Sequence, residues 1–500
     1  MIDSLRSRLG SLVPSGTLLE RSIKSGIWAS TIKIVNRLLQ ILLLILLARI
    51  LVPRDFGLMG IALLTLGATQ QLTKIGLDTA LIHEINENID DYLDTTWVLE
   101  VSRGILIFTL LFFTAPFISN FFNEPDATLL IQVIGLSPLF AGLCNPGVVY
   151  FRKNLDFHKE FVYQASGGVT QFVVGIGYAW YSPTVWALVF AFVATDLMKF
   201  ILSYVLHGYR PWPSFDRKIA AELIDYGKWI TGSSIIYYLY SQGDDAFVGW
   251  YLSATALGFY QYAYRIADIP STEVSEVVAS ITFPAYAKLQ DQPQQLKQAL
   301  LGATRITCFL TFPMAFGIAL VAPSFVPAIL GSDWIPMIVV LQLLSLYGLL
   351  HSMTRNFGSY WKALGRPDLI AKLGFVRVIC IGVLIWPATV LWGIEGTAAV
   401  VVGVFIFPML PLEVYFITKL SPISSSELYR EYLFPLVPAV TMFGVLWYAT
   451  SLVELPNLVE FLVLIPSGAI VYLVVTYVIA VRFDWGVEED IRTITTSLTA

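Results

Sequence analysis

Residues 458–481 of this chain read LVEFLVLIPSGAIVYLVVTYVIAV, and Glu460 is the only charged residue in that stretch. A helix of ~20 apolar residues crosses the ~30 Å hydrocarbon core of a bilayer. The whole chain has a similar character, since 56% of its 500 residues are hydrophobic and only 13% are charged. Continuous apolar runs also argue against the alternating strands of a membrane β-barrel. We therefore expect an all-α integral membrane protein.

Apolar stretches of similar length recur along the chain, and we count about fourteen transmembrane helices. Their predicted bounds are 26–51, 56–80, 95–122, 127–151, 162–181, 184–207, 222–250, 255–285, 301–331, 336–362, 370–391, 394–418, 431–453 and 458–481. The longest connections on the inner side cover only 208–221 and 286–300. These connections are too short for a soluble catalytic domain, so we expect a transporter and no enzyme.

Basic residues in the connections set the expected orientation, because cytoplasmic loops carry an excess of Lys and Arg. With the N-terminus in the cytoplasm, the outer turns hold little beyond Arg54. The inner segments then hold Arg6, Arg8, Arg21, Lys24, Arg152, Lys153, Lys159, Arg210, Arg217, Lys218, Lys288, Lys297, Lys362, Arg366, Lys372, Lys419, Arg430, Arg482 and Arg492. We expect a multi-pass protein of the plasma (inner) membrane, with cytoplasmic segments at 1–25 and 482–500. No basic run indicates a nucleic-acid partner.

Two pairs of turns resemble each other at a separation of about 200 residues. LVPRDFGL at 51–58 matches LSATALGF at 252–259, so that Gly57 and Gly258 correspond, and the basic inner turn 151–159 matches 361–369. Parallel repeats related by an axis along the membrane normal are typical of transporters. We expect an N-lobe of six helices at 26–208, a C-lobe of six helices at 209–420 and two further helices at 421–481.

Ionisable side chains at helical spacing predict a hydrophilic cavity, because each costs about 3 kcal/mol or more when it faces hydrocarbon. Polar stripes run along the repeat-equivalent helices, which are the first, second, seventh and eighth. The candidates for binding an anionic head group are Lys33, Arg37, Lys74 and Arg265, since cations of this kind, arginine above all, match phosphate oxygens. The candidates for ion coupling are Asp78, Asp268 and Glu276. Stacking on sugar rings is a candidate role for Tyr238, Tyr262 and Tyr264, with packing as the alternative.

Several of these charges also fit a structural role. Lys33 lies near the inner interface and is also placed to snorkel, and Lys74 with Asp78 is also placed to form an ion pair on the helix surface. For Arg305 and Arg377, near the inner ends of their helices, we expect snorkelling. For Asp244 and Asp245, near the outer end of the span 222–250, we expect a solvated rim, with cation binding as the alternative.

The remaining reactive residues indicate no cofactor. Cys144, Cys308 and Cys380 lie in apolar spans without paired spacing, as expected for buried thiols. The four histidines are scattered along the sequence. We therefore expect no metal ion, no cofactor and no catalytic residues.

Residues 48–57, ARILVPRDFG, resemble the A-R-x-L-x-P-x-D-F-G signature of polysaccharide-biosynthesis flippases, the Wzx-type proteins of the multidrug/oligosaccharidyl-lipid/polysaccharide exporter superfamily. WKALGRP at 361–367 resembles the second-lobe turn of that family. The resemblance implies fourteen helices in two lobes plus two. It also implies transport of polyprenyl- or dolichyl-(pyro)phosphate-linked sugars to the outer leaflet by alternating access, for surface polysaccharide or, in archaeal relatives, glycoprotein assembly. Arg49, Pro53, Asp55 and Gly57 match the motif, and a structural role is expected, with Asp55 capping the second helix.

The resemblance implies a lipid-linked saccharide substrate, membrane lipids, and glycan-assembly glycosyltransferases or a polymerase as partners. A multidrug/cation antiporter of the same superfamily is the alternative, although the excess of cations on the polar stripes argues against it. A membrane glycosyltransferase or polymerase is a third hypothesis, and the short connections argue against that.

Overall fold

The computed structural model describes residues 35–73, 90–153, 156–217, 235 and 237–483, and every regular element in these ranges is a helix. The all-α prediction is therefore confirmed for them. The predicted segment 1–25, residues 484–500 of the predicted tail, and the predicted cavity residues Lys33, Lys74 and Asp78 lie outside the described residues.

The first part of the chain forms helices that the sequence largely anticipates, with one bend that it does not. These helices are α1 at 35–50, α2 at Pro53–Leu72, α3 at Asp90–Phe121, α4 at Ala127–Gly142, α5 at Val149–Lys153, α6 at Phe157–Tyr181 and α7 at Trp186–Leu206. The predicted span 127–151 is bent by 68° where Ala127–Gly142 meets Pro146–Lys153. Buried Asn145 holds this bend, because its side chain accepts from the Gly147 N–H at 2.9 Å and donates to the Tyr209 carbonyl at 2.7 Å.

The second part of the described chain forms nine α-helices. They are α8 at 237–251, α9 at Ala254–Ala267, α10 at Ile269–Leu289, α11 at Pro293–Phe325, α12 at Ile338–Ala363, α13 at Asp368–Val404, α14 at Leu410–Leu420, α15 at Ser425–Leu452 and α16 at Asn457–Phe483. The start of α15 shows how local sequence determines where a helix begins. The Ser424 hydroxyl accepts from the Glu427 N–H at 3.3 Å, and the Glu427 carboxylate accepts from the Ser424 N–H at 2.9 Å, which forms a capping box.

Seven helical stretches of the described chain are long and apolar enough to cross a membrane. They are Tyr92–Phe121, Trp186–Leu206, Pro293–Leu330, Ser332–Ala363, Asp368–Leu420, Ser425–Leu452 and Asn457–Arg482, and the bent pair that includes α4 makes up to eight. The protein is therefore a multi-pass membrane protein. The total of fourteen spans and the grouping into two six-helix lobes stay predictions.

The stretch Asp368–Leu420 contains 53 residues, more than one crossing requires. Its helical geometry breaks at Gly393, whose φ of +57° suits glycine because it lies in the left-handed region. The chain turns tightly after the break, since a Cβ on Gly396 would lie 2.1 Å from the carbonyl oxygen of Ala388. The break coincides with the boundary that hydropathy predicts after residue 391.

Two compact units account for the described chain. The N-terminal unit contains the described residues up to Tyr238 together with Gly249–Gly258, and the C-terminal unit contains Leu239–Val248 and the residues from Phe259 onward. In the N-terminal unit, leucines of α1 pack against alanines near the facing ends of α6 and α7.

The turn between α1 and α2 packs against the turn between α8 and α9 within the N-terminal unit. A Cβ on Gly57 would lie 1.6 Å from the carbonyl oxygen of Ala254, and a Cβ on Gly258 would lie 2.1 Å from that of Pro53. Only glycine permits so close an approach of two backbones. The two glycines that correspond in the sequence repeat therefore also meet in space.

Candidate functional site

The signature residues surround the start of α2. Pro53 is the first helical residue, a position where the missing N–H costs little. The Asp55 carboxylate accepts a hydrogen bond from the Val52 N–H at 3.3 Å, and Gly57 makes the close contact described above. Arg49 is exposed. The contacts of Pro53, Asp55 and Gly57 thus serve the geometry of the turn.

Ionic contacts join this turn to the start of α9. The Arg54 guanidinium donates to Glu124 at 2.8 Å and to Asp126 at 2.9 Å. The other oxygen of Glu124 accepts from the Ala254 N–H at 3.3 Å. We call this region of the N-terminal unit, with Pro53, Arg54, Gly57, Glu124, Ala254 and Gly258, the glycine seam.

Two of the predicted head-group cations, Arg37 and Arg265, belong to the described residues. Arg37 is partly buried on α1, and Arg265 is exposed on α9. The hydroxyl of Tyr238 donates to the Leu64 carbonyl at 2.5 Å, and its ring lies against Gly67. Substrate binding by these residues stays a prediction.

The other predicted tyrosines lie on the part of α9 that belongs to the C-terminal unit. Tyr262 is buried, with its ring centre 4.4 Å from that of Trp334. Tyr264 is partly buried, with its ring centre 5.7 Å from that of Tyr347. In this conformation Tyr262 packs inside the protein, which is the alternative role expected from the sequence.

Arg377 lies in the interior of the C-terminal unit, where only 5% of it is exposed. Its Nη2 donates to the Tyr347 hydroxyl at 2.9 Å. The guanidinium carbon lies 4.6 Å from the ring centre of Tyr240, 5.1 Å from that of Tyr347 and 5.9 Å from that of Phe405. Aromatic faces stabilise a desolvated cation in this way. The expectation that Arg377 snorkels to the inner interface is wrong, because this aromatic box holds it inside.

Arg305 does not snorkel either. Its Nε and Nη2 donate to the two carboxylate oxygens of Glu431 at 2.7 and 3.1 Å. Glu431 is only 5% exposed, so this bidentate pair is largely shielded from water. The expectation of snorkelling is wrong here because α15 supplies a buried partner.

Asp244 and Asp245 on α8 are buried in the C-terminal unit, with 7% and 9% of their surfaces exposed. Asp244 accepts from the Tyr260 hydroxyl at 2.7 Å, and Asp245 accepts from the Gln261 amide at 3.2 Å. The expectation of a solvated rim is therefore wrong. Polar side chains of α9 cover both carboxylates, which the sequence of α8 alone does not reveal.

Asp268 separates α9 from α10, so the predicted stripe of polar residues along one continuous helix is interrupted there. Its Oδ1 lies 4.0 Å from Nδ1 of His351 on α12, and each side chain is 22% exposed. The His351 ring stacks on Tyr347 with the centres 5.4 Å apart. Glu276, the other described candidate for ion coupling, is exposed on α10.

An apolar cavity of about 630 Å³ lies in the C-terminal unit between α9, α10, α11, α15 and α16. Ile266 and Ile269 line it, together with Phe309, Met442 and many other apolar side chains. These two isoleucines flank Asp268 in the sequence. The same interruption of the helix therefore contributes to the apolar wall and to the polar pair with His351.

A second cavity, of about 390 Å³, lies in the N-terminal unit and is polar. Its wall includes paired charges, with Arg103 3.2 Å from Glu100 and Arg152 2.8 Å from buried Glu160. Lys199 and Asp196 also line the cavity, so its wall carries three cations and three carboxylates and has no excess of positive charge.

The basic turn at 361–367 is tied to the start of α13. The Arg366 side chain donates to both oxygens of Asp368, at 2.9 and 3.2 Å. This hydrogen bonding raises the pKa of the Arg366 guanidinium above its ordinary value. The pair fixes the turn, although water screens exposed pairs of this kind.

Sequence reasoning missed His351 and misjudged Arg377, which the C-terminal unit brings to the same aromatic group. A usable signal exists, because Tyr347 and His351 stand four residues apart in an apolar span and so share a helix face. Nothing in the local sequence of α13 identifies Tyr240 as the ring above Arg377. That contact depends on tertiary packing.

Comparisons with known proteins agree with this fold. The family described as "Polysaccharide biosynthesis protein" matches residues 46–339. The lipopolysaccharide biosynthesis protein WzxC of Escherichia coli is 26% identical over 424 residues, which are 84% of this chain and 85% of that protein. The probable low-salt glycan biosynthesis flippase Agl15 of Haloferax volcanii is 27% identical over 266 residues, 53% of this chain and 55% of Agl15.

A solved structure of lipid II flippase MurJ, in an inward closed conformation, has a similar fold. Its TM-score is 0.73 at 15% sequence identity, and the alignment covers 90% of this chain and 98% of that one. The family resemblance inferred from residues 48–57 is confirmed. The family model matches more than half of the length of this chain, so the chain belongs to the polysaccharide biosynthesis protein family.

Proposed function

We propose that this chain is a flippase for a saccharide linked to a polyprenyl or dolichyl phosphate or pyrophosphate. It moves the lipid-linked saccharide from the cytoplasmic to the outer leaflet, for the assembly of surface polysaccharide or glycoprotein. The relatives WzxC and Agl15 are named for glycan biosynthesis, and the name of Agl15 as a probable flippase supports transport over catalysis. They also favour this function over multidrug export.

One observation carries the proposal, the apolar cavity beside the interruption at Asp268. A polyprenyl or dolichyl carrier is a long branched hydrocarbon that ends in a charged group. The cavity volume of about 630 Å³ falls within the ~300–1,000 Å³ range of ligand sites, and its lining is almost entirely apolar. It therefore suits the hydrocarbon chain.

The cations named from the sequence complete the proposed substrate path. In this proposal Lys33, Arg37, Lys74 and Arg265 attract the phosphate, because cations suit an anionic head group. Two lobes that rock around the path give alternating access. We further propose plasma-membrane location, cytoplasmic termini, and functional contact with glycosyltransferases or a polymerase of glycan assembly.

Deleting the gene in its host tests the proposal. We expect loss of surface glycan and accumulation of the lipid-linked precursor on the cytoplasmic side. An Arg37→Ala, Arg265→Ala double variant should also fail to export while remaining in the membrane. Normal glycans together with altered sensitivity to cationic drugs would instead support a multidrug exporter.

A cavity-filling variant tests the carrier chain separately. Gly317 lines the apolar cavity and has open space around it, so Gly317→Leu adds hydrocarbon where the carrier is proposed to lie. Gly444 on α15 also has open space but does not line the cavity, which makes Gly444→Leu the matched control. We expect reduced export only for Gly317→Leu. Equal export by both variants at equal membrane levels contradicts the assignment of this cavity.

A further inference from the structure

We propose that His351 and Asp268 form a proton-binding pair that couples protonation to movement of α9 relative to α10. The inference rests on the proposed function for its role in transport, but the pair itself can be tested without substrate. The sequence already indicates Asp268 as a candidate for ion coupling. In this proposal Asp268 has a partner, His351, for which the sequence indicated no role.

The helix interruption at Asp268 has a local cause. Pro270 is the second residue of α10 and has no N–H to donate to the Ile266 carbonyl. Two residues to either side of Pro270 the helical bonds are present, since the Asp268 N–H donates to the Tyr264 carbonyl at 2.9 Å and the Thr272 N–H donates to the Asp268 carbonyl at 2.9 Å. A single weak point therefore lies between two well-formed helices, where a small change in contacts can alter their angle.

Helix α12 contacts the chain at this point. A Cβ on Gly348 would lie 2.7 Å from the carbonyl oxygen of Ala267, so the backbone of α12 approaches the end of α9 directly. His351 follows Gly348 by nearly one turn and therefore faces the same region. Beside this contact the imidazole and the Asp268 carboxylate lie 4.0 Å apart.

The groups around the pair make its proton affinity depend on conformation. Burial opposes a positive charge on the His351 imidazole, and Arg355 and Arg377 oppose it electrostatically as well. The Asp268 carboxylate favours such a charge, but at 4.0 Å it is beyond the ~2.8 Å of a charge-assisted hydrogen bond. The other titratable groups of this cluster are Tyr264 on α9, Tyr347 on α12, Asp244 and Tyr240 on α8, and Glu413 on α14.

Closure of the pair is the step that links the proton to the helix. When the imidazole accepts a proton, the carboxylate is drawn towards it, and in this proposal the chain at the interruption moves with Asp268 instead of the side chain rotating alone. The proton thus binds more tightly in the closed arrangement than in the one described here, which is the condition for coupling. Each side chain is 22% exposed, which leaves part of each open to water, although the two facing atoms, Oδ1 of Asp268 and Nδ1 of His351, are themselves buried.

Hydrogen–deuterium exchange on the purified full-length protein in nanodiscs tests the inference, at about pH 6 and about pH 8. After correction for intrinsic exchange rates, we expect exchange over residues 264–275 to differ between the two pH values by about fivefold or more. His351→Gln and Asp268→Asn should both abolish the difference. His158→Gln is the matched control, since His158 also lies beside an aspartate, Asp156, at 3.2 Å. It should retain the difference.

Histidine-selective NMR gives the second readout, because the chain has only four histidines. The resonance that His351→Gln removes should titrate in the wild type, and it should still titrate in Asp268→Asn although the helix no longer responds. A His351 resonance that stays neutral from about pH 8 to about pH 5 overturns the inference. Equal exchange differences in all four proteins overturn it too. Neither result concerns the substrate, so the proposed function can stand if this inference fails.

Discussion

Replacing Gly57 by alanine should force the glycine seam apart. The added Cβ would lie 1.6 Å from the Ala254 carbonyl oxygen, whereas ordinary contact begins at 3.4 Å, so the two turns must separate by roughly 1.8 Å. The opposing atom belongs to the backbone and cannot rotate away. Overpacking of this kind costs ~1–3 kcal/mol, and the higher helix propensity of alanine over glycine offsets up to ~1 kcal/mol of that cost. With the overpacking cost near its upper limit, we expect a net cost of about 2 kcal/mol and therefore a shift of about 30-fold towards the separated arrangement.

Thiol labelling measures this shift. Ala254 is fully buried, so Ala254→Cys in a chain without the three native cysteines should react with a maleimide only when the turns separate. Gly57→Ala should then raise the labelling rate by about tenfold or more. Gly177→Ala on α6 is the matched control, because open space surrounds that glycine in the same unit.

Equal labelling rates for Gly57→Ala and Gly177→Ala would refute the reasoning, provided that both proteins melt at the same temperature. Such a result means that the two backbones already have room for a methyl group. A lower melting temperature without faster labelling would also count against separation of the turns. In that case the strain is absorbed elsewhere in the N-terminal unit.

Three further substitutions follow from buried or constrained positions in the C-terminal unit. Arg305→Met should lower stability by ~3–5 kcal/mol in a thermal melt, because it leaves Glu431 charged and buried, and Glu431→Gln in the same chain should recover much of the loss. Gly393→Ala should cost ~1–3 kcal/mol, seen as a lower melting temperature, because residues with a Cβ rarely adopt its φ of +57° together with its ψ of −137°. Arg377→Lys should lower the melting temperature almost as much as Arg377→Gln. The reason is that a lysine ammonium group cannot replace the planar guanidinium, which stacks on the rings and donates to Tyr347. A wild-type melting temperature for Arg377→Lys would argue against the aromatic box.

Helix positions were predictable from the sequence because a span in lipid needs a long apolar run. The interruptions within helices were harder to predict from the sequence. The break at Gly393 follows from a glycine between two apolar runs, and hydropathy predicts a boundary there. The bend after Gly142 and the interruption at Asp268 fall inside apolar runs, and hydropathy averages over them.

The environment of buried charges was largely not predictable. Spacing along one helix tells how deep a side chain lies but not which neighbouring helix it meets. Arg305 and Arg377 therefore suggested snorkelling, whereas the fold supplies Glu431 to one and aromatic rings to the other. The expectation of a solvated rim for Asp244 was wrong for the same reason, since its partner Tyr260 stands 16 positions away on the next helix.

The interruption at Asp268 connects the two proposals for the C-terminal unit. Ile266 and Ile269 belong to the wall of the apolar cavity, and Asp268 between them faces His351. A movement of the backbone at Asp268 that closes the polar pair therefore also shifts the apolar wall, because Ile269 and Ile266 are one and two positions away in the chain. A proton that binds at His351 would in this way change the shape of the cavity proposed for the carrier chain. Energy coupling and substrate binding then require no long pathway between distant sites, since a single break in one helix serves both.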